Sequence, residues 1–156
     1  MQDDAGDIDA TRLIVPGLAG LYRLGAPFAY AFTRVTIGLM FLPSGVDKMF
    51  LGGQARIAAG NIAALGLEPR MAWAWTVAGV EFFGAILMIL GLFTRPVAFT
   101  LAVQLAVITF GLQIRSGYLW TNRGFELGLL MMLVCLAICF GGGGRWSLDR
   151  KIGKEF

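Results

Sequence analysis

The chain contains no histidine, and only two of its 156 residues are cysteine. Without an imidazole, bis-histidine haem and the ordinary histidine-ligated zinc, copper or iron sites cannot form, so no metal ligand set is expected. The same lack leaves Ser44 and Ser116 with no imidazole base, which removes support for nucleophilic hydrolysis. Cys135 and Cys139 stand four residues apart in one apolar run, where a regular helix would place them on one face and strain a disulfide between them. They read as two small buried residues. No GxGxxG follows a strand and no P-loop is present; the glycine run 141–144 ends an apolar run instead of opening a helix, and reads as a terminator and flexible exit. Charge is sparse as well. Charged residues make up 15% of the chain, and the net charge of +3 is dispersed, with no basic stripe interleaved with aromatics, so nucleic acid is not an expected partner. The opening residues carry Asp3, Asp4, Asp7 and Asp9 where a cleavable secretory signal would have a basic region, so the first true span is expected to act as the insertion signal.

What the chain has is apolar sequence: 57% hydrophobic residues and a mean hydropathy of +0.72, too little polar surface to enclose a soluble core. Four long apolar runs, Pro27 to Phe50, Ala72 to Phe93, Val97 to Ile114 and Phe125 to Gly141, each predict a helix crossing a hydrocarbon layer about 30 Å thick. The expected fold is an all-α integral membrane protein, a bundle of four transmembrane helices with short interfacial helices before span 1 and between spans 1 and 2. Leu13 to Tyr22, apolar but interrupted by Pro16, Gly17 and Gly20, is the first interfacial segment. Gln54 to Leu65, with Ile57, Ala58, Ile62 and Leu65 at helical spacing, is the second. The chain then divides into a polar tail and interfacial segment over 1–26, a membrane domain over 27–141 and a basic tail over 142–156. Lipid is its first expected partner.

The turn between the second and third spans is very short, with Gly91, Thr94, Arg95 and Pro96 supplying helix stop and restart, so those spans must be antiparallel neighbours. Small residues recur inside the spans, at Gly38, Gly79, Gly84, Ala98 and Ala102, where membrane helices can approach closely. The third connection, Arg115 to Gly124, carries Tyr118 and Trp120 and suits the headgroup layer or the mouth of an intramembrane cavity. An even number of spans puts both termini on one side, and the basic residues divide seven to five in favour of cytoplasmic termini, with the cluster from Arg145 to Lys154 as the best support.

The polar residues inside the apolar runs, four of them ionisable, are the candidate site: Arg34, Lys48, Glu81, Gln104 and Glu126. A charge in a membrane helix costs about 2.5–3.5 kcal/mol on insertion scales, and so faces a partner or a wet cavity. Depth along each helix, at about 1.5 Å per residue, puts Glu81 near the midplane, with Arg34 and Gln104 at similar depths towards one side. That suggests an Arg34–Glu81 pair, with Lys48 and Glu126 pairing at the opposite side and Glu81 able to serve both. Such pairs can simply fix helix register, with Gln104 and Gln113 bonding across helices. Glu81 fits that structural role least well, and a carboxyl at this depth suits accepting a proton or binding a hydroxyl.

Taken together, Arg34, Gly38, Gly45 and Lys48 in the first run, Glu81 in GVEFFGAILMILGLFTRP, Glu126 in FELGLL and the exit GGGGRWSLDR resemble the DoxX-like family over about Phe28 to Arg150. The resemblance implies a small bacterial inner-membrane protein of four spans. Members are similar to the small membrane subunit of a thiosulfate:quinone oxidoreductase, or are associated with thiol-oxidative stress as membrane partners of soluble enzymes. The implied role is a subunit of an oxidoreductase assembly, non-catalytic by itself, touching a quinone through the Arg/Glu/Lys cluster. No electron carrier is evident in the chain, so the redox centre would belong to a protein partner, and a homo-oligomer stays open. Two other readings use the same residues: a structural or assembly subunit of a larger membrane complex, and a transporter of a small molecule or proton.

Overall fold

A computed structural model describes residues 13–153, and every regular element among the described residues is helical. After a 3₁₀ turn at Pro16–Leu18 come α1 (Ala19–Phe50), the short α2 (Gly53–Ile57) running into a π turn (Ala58–Ile62), α3 (Arg70–Leu90), α4 (Thr94–Gly111), two 3₁₀ turns, α5 (Glu126–Gly141) and α6 (Leu148–Ile152). Three helices, α1, α3 and α4, are long and apolar enough to cross a membrane. α5, expected as a fourth span, is an apolar helix of 16 residues, below the roughly 20 that a full crossing needs.

The first expected interfacial helix is not separate. From Ala19 its residues are continuous with the first span in a single 32-residue helix, because Pro27 and Pro43 lie inside α1 without ending it. Proline removes one intrahelical hydrogen bond, a loss that membrane helices tolerate where neighbouring groups compensate. Tails 1–12 and 154–156, which include Asp3 to Asp9 and Lys154, lie outside the described residues.

α1 packs along α3, α3 along α4, and α4 along α5. The α1–α3 contact is made by two glycines seven residues apart on one face. A Cβ at Gly38 would stand 2.9 Å from the Ala85 carbonyl oxygen, and one at Gly45 would stand 2.6 Å from both N and Cα of Phe82. Gly84, Ala98 and Ala102 also face neighbours, but nothing lies within 4 Å of a Cβ placed on Gly79, so that glycine is not a packing position. The apolar core runs through Ile37 and Phe41 of α1, Met88 of α3, Leu101 and Leu105 of α4, and Met132 and Ile138 of α5.

α1 stops short. Gly45 meets Phe82, and the Phe50 ring meets the Phe82 ring edge-on at 5.2 Å, so the last turn of α1 lies opposite the middle of α3. The chain breaks there at Gly52, whose φ of 82° suits glycine. α2 and the π turn then cover the remaining half of α3, with Ala58 and Ile62 buried, and Leu65 reaches α4 at Gly111. The second expected interfacial helix therefore exists, but as a packed part of the bundle. Asp47 and Arg56 form an ion pair across the break.

Candidate functional site

The break in α1 decides the charge pairing. Because Gly45 lets α1 approach the α3 backbone, Lys48, three residues on and on the same helical face, reaches Glu81. Its Nζ lies 2.6 Å from Glu81 Oε2 and also donates to Ser44 Oγ one turn back. Gln104 Nε2 of α4 donates to Glu81 Oε1 at 2.6 Å. Lys48, Glu81 and Gln104 thus form one chain of charge-assisted bonds across α1, α3 and α4, with Glu81 only 4% exposed at its centre. Both carboxylate oxygens have a donor, and the cation sits where the carbonyl end of α1 favours positive charge.

Three of the five expected residues are brought together, and two are not. Arg34 does not pair with Glu81. It is 1% exposed, and Nη1 donates to the carbonyls of Met88 at 2.6 Å and Ile89 at 3.3 Å while Nη2 donates to the Trp146 carbonyl at 2.9 Å. The last carbonyls of α3 have no intrahelical partner, and the planar guanidinium satisfies them about two turns from Glu81. Glu126 does not pair with Lys48 either: it opens α5 on the far side of α4, and its Oε2 accepts from the Trp120 N–H at 3.3 Å.

Sequence reasoning gave Asp149 no site role, though it organises the end of the bundle where α3 turns into α4. Its carboxylate accepts from the N–H of Phe93 at 2.8 Å and, through its second oxygen, from the N–H and Oγ1 of Thr94 at 2.9 and 2.8 Å. Asp149 thereby caps the N-terminus of α4 from 55 residues away, and its own N–H donates to the Gly91 carbonyl. At the other kind of helix end, the Tyr30 hydroxyl donates to the Gly142 carbonyl at 2.6 Å, with the Ile138 carbonyl at 3.1 Å, and so satisfies the C-terminal end of α5. The signal available in sequence was local: Ser147 caps α6 by accepting from the Arg150 N–H, the ordinary Ser-x-x start of a short helix.

The Lys48–Glu81–Gln104 chain stands beside a cavity of about 500 Å³. Lys48 and Gln104 line it, with Glu81 behind them; Trp73 and Val77 of α3 and Val107 of α4 form the walls, and Ile62 of the π turn covers it. A largely apolar cavity of this size with a few convergent polar groups is the usual form of a small-molecule site, within the range of about 300–1,000 Å³. Trp73, Val103 and Val107 are also exposed on the outside of the helix pair, so the cavity borders the lipid-facing surface. The donors that line this space are the Lys48 ammonium and the Gln104 amide, with an apolar volume beside them.

Residues 29–113 match the family described as DoxX. An uncharacterized protein of Haemophilus influenzae is 40% identical over 83% of this chain and 94% of its own length. An uncharacterized membrane protein of Mycobacterium tuberculosis is 28% identical over 93% of this chain and 94% of its own. The inner membrane protein YphA of Escherichia coli is 29% identical over 80% of this chain and 91% of its own. No solved structure matches.

Proposed function

The chain belongs to the DoxX family of membrane proteins, and from that premise we propose that it is a small subunit of a bacterial inner-membrane oxidoreductase assembly that holds the head of a lipid-soluble quinone. The observation that carries this reading is the Lys48–Glu81–Gln104 chain, with Glu81 buried at its centre, beside an apolar cavity bordering lipid. Lys48 and Gln104 would donate to the carbonyl oxygens of the head, and Glu81 would hold both donors in place and keep a proton-exchanging group within reach. A quinone supplies two-electron, two-proton chemistry when bound, and the electron source belongs to a partner. In this reading α5 is the fourth span, its length of about 24 Å being met by local thinning of the bilayer. The inner-membrane location is supported by the likeness to YphA, and cytoplasmic termini by the basic cluster after α5.

A second reading has its own support. Both Glu81 oxygens are already satisfied within the bundle, as they would be in a structural or assembly subunit. Purification from native membranes in mild detergent, with mass spectrometry of co-purifying proteins, lipids and quinones, separates the two. A redox enzyme and a quinone recovered in stoichiometric amount support the first reading. A partner complex without quinone, still assembled around a Glu81→Gln chain, selects the second.

A further inference from the structure

A second cavity, of about 430 Å³, lies at the end of the bundle opposite Asp149, beneath the connection from α4 to α5. Its character is different: Arg123, Ser116, Gln113 and Trp120 line it, and Arg123 and Ser116 are exposed. Gln113 Oε1 is buried and finds no hydrogen-bond partner among the described residues. A buried amide oxygen left so is costly unless water reaches it, and a polar space of this size holds water readily.

The two cavities have three lining residues in common, Asn61, Ile108 and Leu112. They therefore adjoin, and the shared wall is polar on one side: Asn61 comes from the π turn, the wide helical turn that often marks functional positions. From the junction the first cavity continues along α4 to Gln104 and Lys48. We infer that the two cavities form one aqueous passage, leading from the α4–α5 connection past a neck at Asn61 and Leu112 to the buried Lys48–Glu81 pair. Water and small hydrophilic solutes follow Asn61, Gln104 and Lys48, polar residues along its largely apolar wall, and give the pair a route for proton exchange with the aqueous phase on that side. This goes beyond the proposed quinone site and does not depend on it, because the passage is made by the chain alone.

Single cysteines test it in nanodiscs, where both faces are open, in a chain with Cys135 and Cys139 replaced by alanine. The probe is a charged, membrane-impermeant methanethiosulfonate, which does not enter lipid. Gln104→Cys and Ile108→Cys are expected to react at least tenfold faster than Leu133→Cys, which is exposed midway along α5 and lines neither cavity. Adding Leu112→Trp to narrow the neck is expected to slow Gln104→Cys at least tenfold while leaving Ser116→Cys, in the outer cavity, unchanged. Ile108→Cys leaves the Glu81 contacts intact and so covers a failure of Gln104→Cys to fold. Reaction at Gln104→Cys and Ile108→Cys no faster than at Leu133→Cys, or rates indifferent to Leu112→Trp, would overturn the passage. Neither result bears on whether a quinone binds.

Discussion

Lys48 forms an ion pair with the buried Glu81, Nζ to Oε2 at 2.6 Å, that joins the last turn of α1 to the middle of α3. Removing one partner of such a pair leaves an uncompensated charge and costs about 3–5 kcal/mol, whereas replacing both with apolar residues is often neutral. Lys48→Met and Glu81→Met are each expected to lower Tm in detergent markedly, and the double variant to recover most of the loss. A double variant as unstable as the sum of the singles would show that the two do not interact energetically.

Asp149 ties the tail to the start of α4 through three hydrogen bonds. Asp149→Ala removes that cap and leaves buried donors unmet, a loss of about 1–2 kcal/mol. The tail is expected to become sensitive to trypsin at Arg145, Arg150 and Lys151 well before the bundle unfolds. Arg34→Lys should have a similar effect, because one ammonium cannot reproduce a guanidinium fork that reaches both Met88 and Trp146. Limited proteolysis followed by mass spectrometry reads both.

Gly45 and Gly79 should behave oppositely. Gly45→Ala pushes a methyl to 2.6 Å from the Phe82 backbone, which cannot give way as a side chain can, so α1 and α3 must separate and Lys48 withdraw from Glu81. A Cβ on Gly79 has open space around it, and Gly79→Ala is expected to be neutral or to stabilise by up to about 1 kcal/mol through helix propensity. Thermal unfolding of the two variants side by side checks this.

The helices were legible because each is an apolar run ended by glycine or restarted by proline: Gly91, with φ of 69°, ends α3, and Pro96 lies in the first turn of α4. The residues of the site were also legible, since Lys48, Glu81 and Gln104 are polar where the surroundings are apolar. Their pairing was not. Depth along a helix carries no information on which face a residue occupies or where a helix breaks, and Lys48 reaches Glu81 only because α1 ends halfway along α3. Arg34 was misassigned for a related reason: its partners are backbone carbonyls at a helix end, which no side-chain pattern marks. Asp149 acts across 55 residues, and a long-range cap has no spacing rule to betray it.

The most direct measurement uses Trp73, which lines the cavity. A short-tailed benzoquinone or naphthoquinone is titrated into the protein in nanodiscs, tryptophan fluorescence is followed, and Trp73→Phe identifies the signal of that residue. The expected result is saturable quenching of Trp73, with affinity falling at least tenfold in Gln104→Leu, which removes one donor and leaves the Lys48–Glu81 pair in place. Quenching that never saturates and is the same in Gln104→Leu would mean that the quinone only dissolves in the bilayer, and would contradict the site.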